Sequence, residues 1–303
     1  MKYAYFRGKI VPFEEAQISI MTHAFNYGTG VFEGIRGYWN EDQQQLYILK
    51  LREHYQRLLK SCKAMHIKVD LSLADLIKVT IELVKRNGYK QDVYIRPLAY
   101  KSEEKIGLGL RGVEDDFAIY CAPFGNYLDV SKGIKVCLSK YRRISEYAMP
   151  QGAKLTGTYF NSSLAKAEAL GRGYVEAITL SHKGNVAEGS GENLFMVKNG
   201  KLITPPLSDD ILPGITRQAL IELAKKELGI KTLEKSFKPS ALYKADELFF
   251  CGTGAQVSPI TQVEKKKIGS GKVGPITKQL QEIYFKAVRG EITKYRHWLT
   301  AVE

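Results

Sequence analysis

No apolar run in this chain is longer than a β-strand, and that limits the fold more than any other feature of the sequence. Runs such as Phe117 to Phe124 are strand-sized, far short of the roughly 20 residues a membrane-spanning helix needs. Between the short runs lie stretches whose apolar residues recur at helical spacing, so the chain must pack helices onto strands. Residues 51–66 put Leu51, Tyr55, Leu58, Leu59, Cys62 and Met65 on one helical face. A second helix is signalled from Ser72, with Asp75 placed for a capping box and Asn87-Gly88 as the stop. Its predicted stripe is Leu73, Leu76, Ile77, Thr80, Ile81 and Val84. With strands at about 92–100 and 116–122, residues 1–122 read as a small α+β lobe.

At 303 residues the chain exceeds what one core usually fills. Pro123-Phe124-Gly125-Asn126-Tyr127 breaks the pattern with turn formers, which marks 123–130 as a linker and 131–303 as a second, larger domain. There the pattern predicts strands near 134–140, 174–180 and 247–251, and a hairpin of 193–197 and 201–204 around Asn199-Gly200. Helices are expected at about 158–170, 216–229 and 275–289.

Charge and cysteine usage narrow the function. The 45 Lys+Arg against 32 Asp+Glu give a net charge of +13, but the basic residues are interleaved with acids along the whole chain. Apart from Lys265-Lys266-Lys267 there is no compact basic run and no nucleic-acid motif, so solubility and an anionic ligand account for the balance. Cys62, Cys121, Cys137 and Cys251 are far apart in apolar settings, as reduced core thiols would be. With charge interrupting the N-terminal residues before any signal core, a cytoplasmic protein without membrane or nucleic-acid partners is expected. The five histidines never fall at metal-ligand spacing, so no metal is expected, and His54 and His66 read as packing or surface residues.

Gly107-Leu108-Gly109-Leu110-Arg111-Gly112 matches the dinucleotide fingerprint in letters. That motif works only between a strand and a helix, where the pyrophosphate meets a helix N-terminus. Here charged residues precede it and an acidic turn leads into a strand, so a surface or lid loop is the better reading.

Three segments carry chemistry together. In Gly152-Ala153-Lys154-Leu155-Thr156-Gly157, small residues crowd one lysine. Desolvation there would lower its pKa and free a nucleophilic amine. In Glu188-Gly189-Ser190-Gly191-Glu192-Asn193, glycines beside a carboxylate allow a planar ligand to approach the backbone. Leu212-Pro213-Gly214-Ile215-Thr216-Arg217 opens a helix with a threonine among exposed N–H groups, an anion site, and Gly252-Thr253-Gly254-Ala255 could add further donors. A lysine, a carboxylate and phosphate cradles describe a pyridoxal 5′-phosphate site, where the carboxylate keeps the pyridine nitrogen protonated.

These segments resemble the class IV aminotransferases of fold type IV, and within them the branched-chain amino acid aminotransferases. Met21-Thr22-His23-Ala24-Phe25-Asn26-Tyr27-Gly28, Val31-Phe32-Glu33-Gly34-Ile35-Arg36 and Tyr94-Ile95-Arg96-Pro97-Leu98 extend the likeness in order over almost the whole chain. The resemblance implies a two-domain α+β enzyme with its active site between a smaller N-terminal and a larger C-terminal lobe. It implies Lys154 as the Schiff-base lysine and proton shuttle, Glu188 on the pyridine nitrogen and Tyr159 on the ring hydroxyl. Arg52, Ile215, Thr216 and Thr253 would hold the phosphate. The substrate carboxylate would go to Tyr94, Arg96 and the Gly254-Ala255 turn. Its side chain would meet Phe32, Tyr127 and, from a neighbouring subunit, Tyr27, Leu108 and Leu110. Gly254 stands where relatives often carry Ala, and Phe124 where some relatives carry Trp.

The implied reaction moves the amino group of L-leucine, L-isoleucine or L-valine to 2-oxoglutarate in at least a homodimer. Sibling activities, a D-amino acid aminotransferase or an aminodeoxychorismate lyase, share the cofactor machinery. Tyr94-Ile95-Arg96-Pro97-Leu98 argues against the first, and an aliphatic pocket against the second. A non-enzymatic binding protein fits poorly, because every catalytic position is filled.

Overall fold

The structure, a computed structural model, describes residues 1–125, 127–150 and 152–302; Asn126, within the expected linker, lies outside them. The chain divides into two compact units, and the division is not a single cut along the sequence. The first takes Met1–Gly125 with Gly152–Gly157 and Ala287–Glu303; the second takes Asn126–Gln151 and Thr158–Lys286.

In the first unit β1 (Tyr3–Phe6), β2 (Lys9–Pro12), β3 (Gly30–Phe32), β4 (Ile35–Asn40), β5 (Gln45–Leu49), β6 (Val93–Lys101) and β7 (Asp115–Pro123) join the C-terminal strand Leu299–Val302. They form an eight-stranded sheet in the order C-terminal strand–β5–β4–β6–β7–β1–β2, with β3 also on β6. Every pairing is antiparallel. Burial alternates residue by residue along β6, so Tyr94 and Arg96 share the less buried face. A proline inside a strand removes one ladder donor. Pro97 is accommodated because it lies opposite the Glu33–Gly34 break, where β6 exchanges β4 for β3 as its neighbour.

The unit's helices are α1 (His23–Tyr27), α2 (Leu51–Ala64) and α3 (Leu73–Asn87). The α3 capping box forms as expected, and Gly88 closes the helix in the left-handed region at φ 68°. Its buried face differs from the predicted stripe: Leu76, Thr80, Leu83, Val84 and Asn87 are buried, while Leu73, Ile77 and Ile81 are half-buried. The face is rotated because α3 packs against α2 and also against β1, β7 and the C-terminal strand. Two neighbours share the burial that one stripe was expected to take.

The second unit contains β8 (Ile134–Arg142), α4 (Tyr159–Gly171), β9 (Glu176–Leu180), β10 (Val186–Gly189), β11 (Asn193–Lys198) and β12 (Lys201–Thr204). It continues with α5 (Ile215–Leu228), β13 (Thr232–Glu234), β14 (Glu247–Gly252), β15 (Gln256–Val263), β16 (Lys266–Lys267) and α6 (Pro275–Val288). Its sheet runs β10–β9–β8–β15–β14–β11–β12–β13, and β10 also pairs with β11. That extra pairing, Glu188 opposite Asn193, closes the path from β10 round to β11 into a ring. Closure pairs the six ring strands on both sides, with β12–β13 and β16 left as extensions, and Leu194, Phe250, Ile178, Val136 and Ile260 are among the buried residues of its core. On the outside, α4 lays Ala165 and Ala169 on Cys137 and Ala177, small residues that let helix and sheet approach.

Candidate active site

Lys154 belongs to the first unit, where residues 154–156 run as a short extra strand along β3. Phe32 donates its N–H to the Lys154 carbonyl at 3.1 Å, and Thr156 donates to the Gly30 carbonyl at 2.9 Å. The Lys154 N–H is taken by Ser61 Oγ of α2 at 3.0 Å. Lys154 Nζ stands 4.8 Å from the centroid of the Phe32 ring. The turn that follows is tight: a Cβ on Gly28 would lie 2.9 Å from Gly157 Cα, which only glycine allows.

The open face of β6 supplies the groups around that ring. Arg96 donates to the Tyr94 hydroxyl, from Nη2 at 2.7 Å and from Nε at 3.2 Å. The Arg96 guanidinium lies 4.3 Å from the Phe32 centroid. Gly34 makes room for this, since a Cβ there would sit 2.3 Å from the Tyr94 hydroxyl. Phe124 packs its ring against Tyr94 at 5.2 Å. Lys154, Phe32, Tyr94 and Arg96 are thus brought together, an amine and a guanidinium both within 5 Å of the centroid of one apolar ring.

Arg52 lies exposed in the first turn of α2. Tyr27, Leu108 and Leu110 lie elsewhere on the unit. The Tyr27 hydroxyl accepts the Gly107 N–H at 3.1 Å, and the Gly107 carbonyl meets His23 Nε2 at 2.8 Å. These bonds hold the 107–110 loop to α1. It leads into β7 without a helix, which removes the dinucleotide reading. Leu108 is 81% exposed beside Ile106 at 85%, while Leu110 is half-buried; Phe25 of α1 is also exposed.

Directly after Phe32 is a fully buried carboxylate to which the sequence pattern assigns no role. Glu33 takes Arg57 Nε and Nη2 at 2.7 Å each and His54 Nδ1 at 2.7 Å. Burial by itself would raise this carboxyl, but the Arg57 charge and the hydrogen bonds from Arg57 and His54 outweigh it and hold it at about 2. Burial also pushes His54 below the usual imidazole value, so its ring is neutral. His54 is a packing residue, as expected, but one with a polar task. His54 and Arg57 are three apart on α2, which is a readable signal; their partner is not readable, because it comes from another element.

In the second unit Glu188 lies on β10 at the seam of the ring, almost fully buried. Arg143 Nε approaches its Oε1 at 3.0 Å. Asn193 Nδ2 donates to Oε2 at 2.9 Å and the Leu212 N–H to the same atom at 3.1 Å. All are donors, so the carboxylate is held as an anion in one orientation. Gly214 enables this: a Cβ there would fall 1.9 Å from Asn193 Oδ1. Arg143 and Asn193 complete the carboxylate's setting: Asn193 faces it across the β10–β11 pairing, and Arg143 follows β8, two strands away through β9.

The other predicted groups of this unit lie at the starts of α4 and α5 and in the β14–β15 turn. Ile215 and Thr216 open α5 behind its cap Gly214, both buried, with the unpaired N–H groups every helix start presents. Thr253 and Gly254 are half-buried in the β14–β15 turn and Ala255 is buried. Gly254 faces Tyr127, whose ring would be 3.8 Å from a Cβ at that position. Tyr159 heads α4. A second buried carboxylate, Glu192, is raised to about 8 by burial and then by the charge of Glu176, which is itself paired with Lys166 at 2.7 Å. The donor set suits pyridoxal phosphate: a locked anion for a protonated ring nitrogen, a helix start with a threonine for a phosphate, and a lysine amine beside carboxylate-binding groups.

Comparison with known proteins gives the same answer. The sequence model of the family described as amino-transferase class IV matches residues 30–263. A probable branched-chain-amino-acid aminotransferase of Aquifex aeolicus is 51% identical, with 100% of this chain and 97% of the relative covered. Among solved structures, the branched-chain aminotransferase of the archaeon Thermoproteus uzoniensis with norvaline superposes with a TM-score of 0.95 at 45% identity, covering 99% of each chain. The branched-chain amino acid aminotransferase of Thermobaculum terrenum in its PLP form also gives 0.95, at 38% identity over 100% of this chain and 98% of that one. Built on the α+β architecture of fold type IV, this chain belongs to the class IV aminotransferases, among the branched-chain amino acid aminotransferases.

Proposed function

We propose that this protein transfers the amino group of L-leucine, L-isoleucine or L-valine to 2-oxoglutarate with pyridoxal phosphate as cofactor. The observation that carries the reading is the convergence of Lys154, Arg96 and Tyr94 on the Phe32 ring. An amino acid bound there puts its carboxylate on Arg96 and the Tyr94 hydroxyl and its aliphatic side chain on Phe32. Its Cα then comes within reach of an amine. Burying each such side chain contributes about 1.5–3 kcal/mol. Pyridoxal phosphate, when bound, supplies the electron sink for the pair left at that Cα.

The chain's own groups have separate tasks. Lys154 holds the cofactor's aldehyde carbon and moves the proton at the substrate Cα. Glu188 keeps the ring nitrogen protonated, and Tyr159 donates to the ring hydroxyl. Arg52, Thr216, Thr253 and the Ile215 N–H take the phosphate. The Gly254-Ala255 turn adds to the carboxylate site and Tyr127 to the apolar wall. Tyr27, Leu108 and Leu110 serve a neighbouring copy in a homodimer or larger assembly. Ile106 and Leu108, exposed in one loop, support that, since apolar groups gathered on a surface mark an interaction site. Four free, buried cysteines support a cytoplasmic setting.

Borohydride reduction of the cofactor-loaded protein should attach the cofactor to Lys154, read by peptide mass. Lys154→Ala should lose both adduct and turnover. Turnover is to be compared on L-isoleucine, D-alanine and aminodeoxychorismate. Activity confined to D-alanine, or pyruvate release from aminodeoxychorismate, would transfer the chain to a sibling reaction.

A further inference from the structure

We infer that Glu33, His54, Arg57 and Ser61 are positioning residues that clamp the main chain of Lys154 from two sides. The inference rests on Lys154 being the reactive amine. The two main-chain groups of Lys154 are held by different elements. Its carbonyl accepts the Phe32 N–H of β3 at 3.1 Å, and its N–H donates to Ser61 Oγ of α2 at 3.0 Å. The Ser61 hydroxyl proton is committed to the Arg57 carbonyl at 3.0 Å, which leaves a lone pair for Lys154.

A clamp holds only if its jaws are fixed to each other, and the buried cluster fixes them. Glu33 directly follows Phe32, and Arg57 is one helical turn before Ser61. The two are joined by a bidentate ion pair, with His54 as a third ligand of the carboxylate. Glu33 is 0% exposed and His54 2%, so the carboxylate end of the joint is dry, while Arg57 reaches it from a partly exposed position. Apolar packing could weld α2 to β3 at less desolvation cost, but it would allow the helix to slide. A planar guanidinium on a carboxylate sets both distance and angle. It thereby sets the register of Ser61 against Phe32, and so the two ends of the Lys154 grip. Phe32 also touches the amine, because its ring lies under Lys154 Nζ. With the carboxylate ionised, the guanidinium cationic and the imidazole neutral, the joint adds no net charge beside the amine.

The test uses the cofactor-loaded enzyme with Ser61→Ala and Glu33→Gln. Four quantities are read: the trapped lysine, the thermal midpoint, kcat and KM for L-isoleucine, and the pH midpoint of the visible cofactor band. Ser61→Ala should fold and still trap the cofactor on Lys154. Its kcat should fall about tenfold or more with KM within about twofold, because a small misplacement of a reacting group is costly. The pH midpoint of the band should move with it. Glu33→Gln should shift the same quantities further; if it does not fold, Ser61→Ala decides alone. A Ser61→Ala enzyme trapped on Lys154 with unchanged kcat and band midpoint overturns the clamp and leaves Lys154 in its role. Trapping of wild-type protein on another lysine removes both.

Discussion

Replacing Glu33 by glutamine keeps the volume of the side chain and removes the charge that holds α2 on β3. The structure sets the size of the effect. The carboxyl stands at about 2 against an ordinary 4.5, a difference worth about 3 kcal/mol at neutral pH. Losing one partner of a buried pair and stranding Arg57 gives a figure of the same order, about 3–5 kcal/mol. A lowered carboxylate pKa contributes stability that is fully present above the unfolded value and lost as pH falls through the folded one. The deficit of Glu33→Gln should therefore be largest at pH 7 and shrink to roughly half by about pH 3. Urea unfolding followed by tryptophan fluorescence is suited to the measurement, because the only two tryptophans, Trp39 and Trp298, both lie in the unit that contains Glu33. A deficit below about 1 kcal/mol at pH 7, or one that does not change with pH, would refute the electrostatic argument.

Glu192 should behave in the opposite sense. Burial and Glu176 raise it to about 8, so its contribution is present at low pH and lost as pH rises toward that value. Glu192→Gln should accordingly gain at least about 1 kcal/mol more over wild type at pH 9 than at pH 5, measured by guanidinium unfolding with circular dichroism; an equal difference at both pH values would contradict this. Gly214→Ala should displace Asn193 and lose about 1–3 kcal/mol, as overpacked buried sites do, with turnover reduced because Glu188 loses a donor. Wild-type stability and turnover in Gly214→Ala would show that Asn193 can move without consequence.

The long periodic elements were legible. The capped helix after Ser72, the helix at 51–66, the hairpin at Asn199-Gly200 and the strand of Tyr94 and Arg96 all form where their patterns place them. The short strands β1 to β5 were not, because runs of three to six residues carry too little periodicity to separate them from loops. The buried face of α3 was misjudged for a different reason. It packs against β1, β7 and the C-terminal strand as well as α2, and the C-terminal strand is more than two hundred positions away in the sequence.

Local order in the chain determined which residues are chemically eligible. A lysine among small residues, a carboxylate framed by glycines and a threonine at a helix start are properties of neighbours, and neighbours are what a sequence displays. Tertiary structure alone decided what each group faces. Glu188 is held as an anion because the fold brings Arg143, from the end of β8, and Leu212, from the segment before α5, to it beside Asn193 of the adjoining strand. Lys154 lies against β3 because a six-residue excursion, Gly152–Gly157, returns to the first unit. Both arrangements depend on contacts between distant segments, whose energies exist only once the chain has closed those loops.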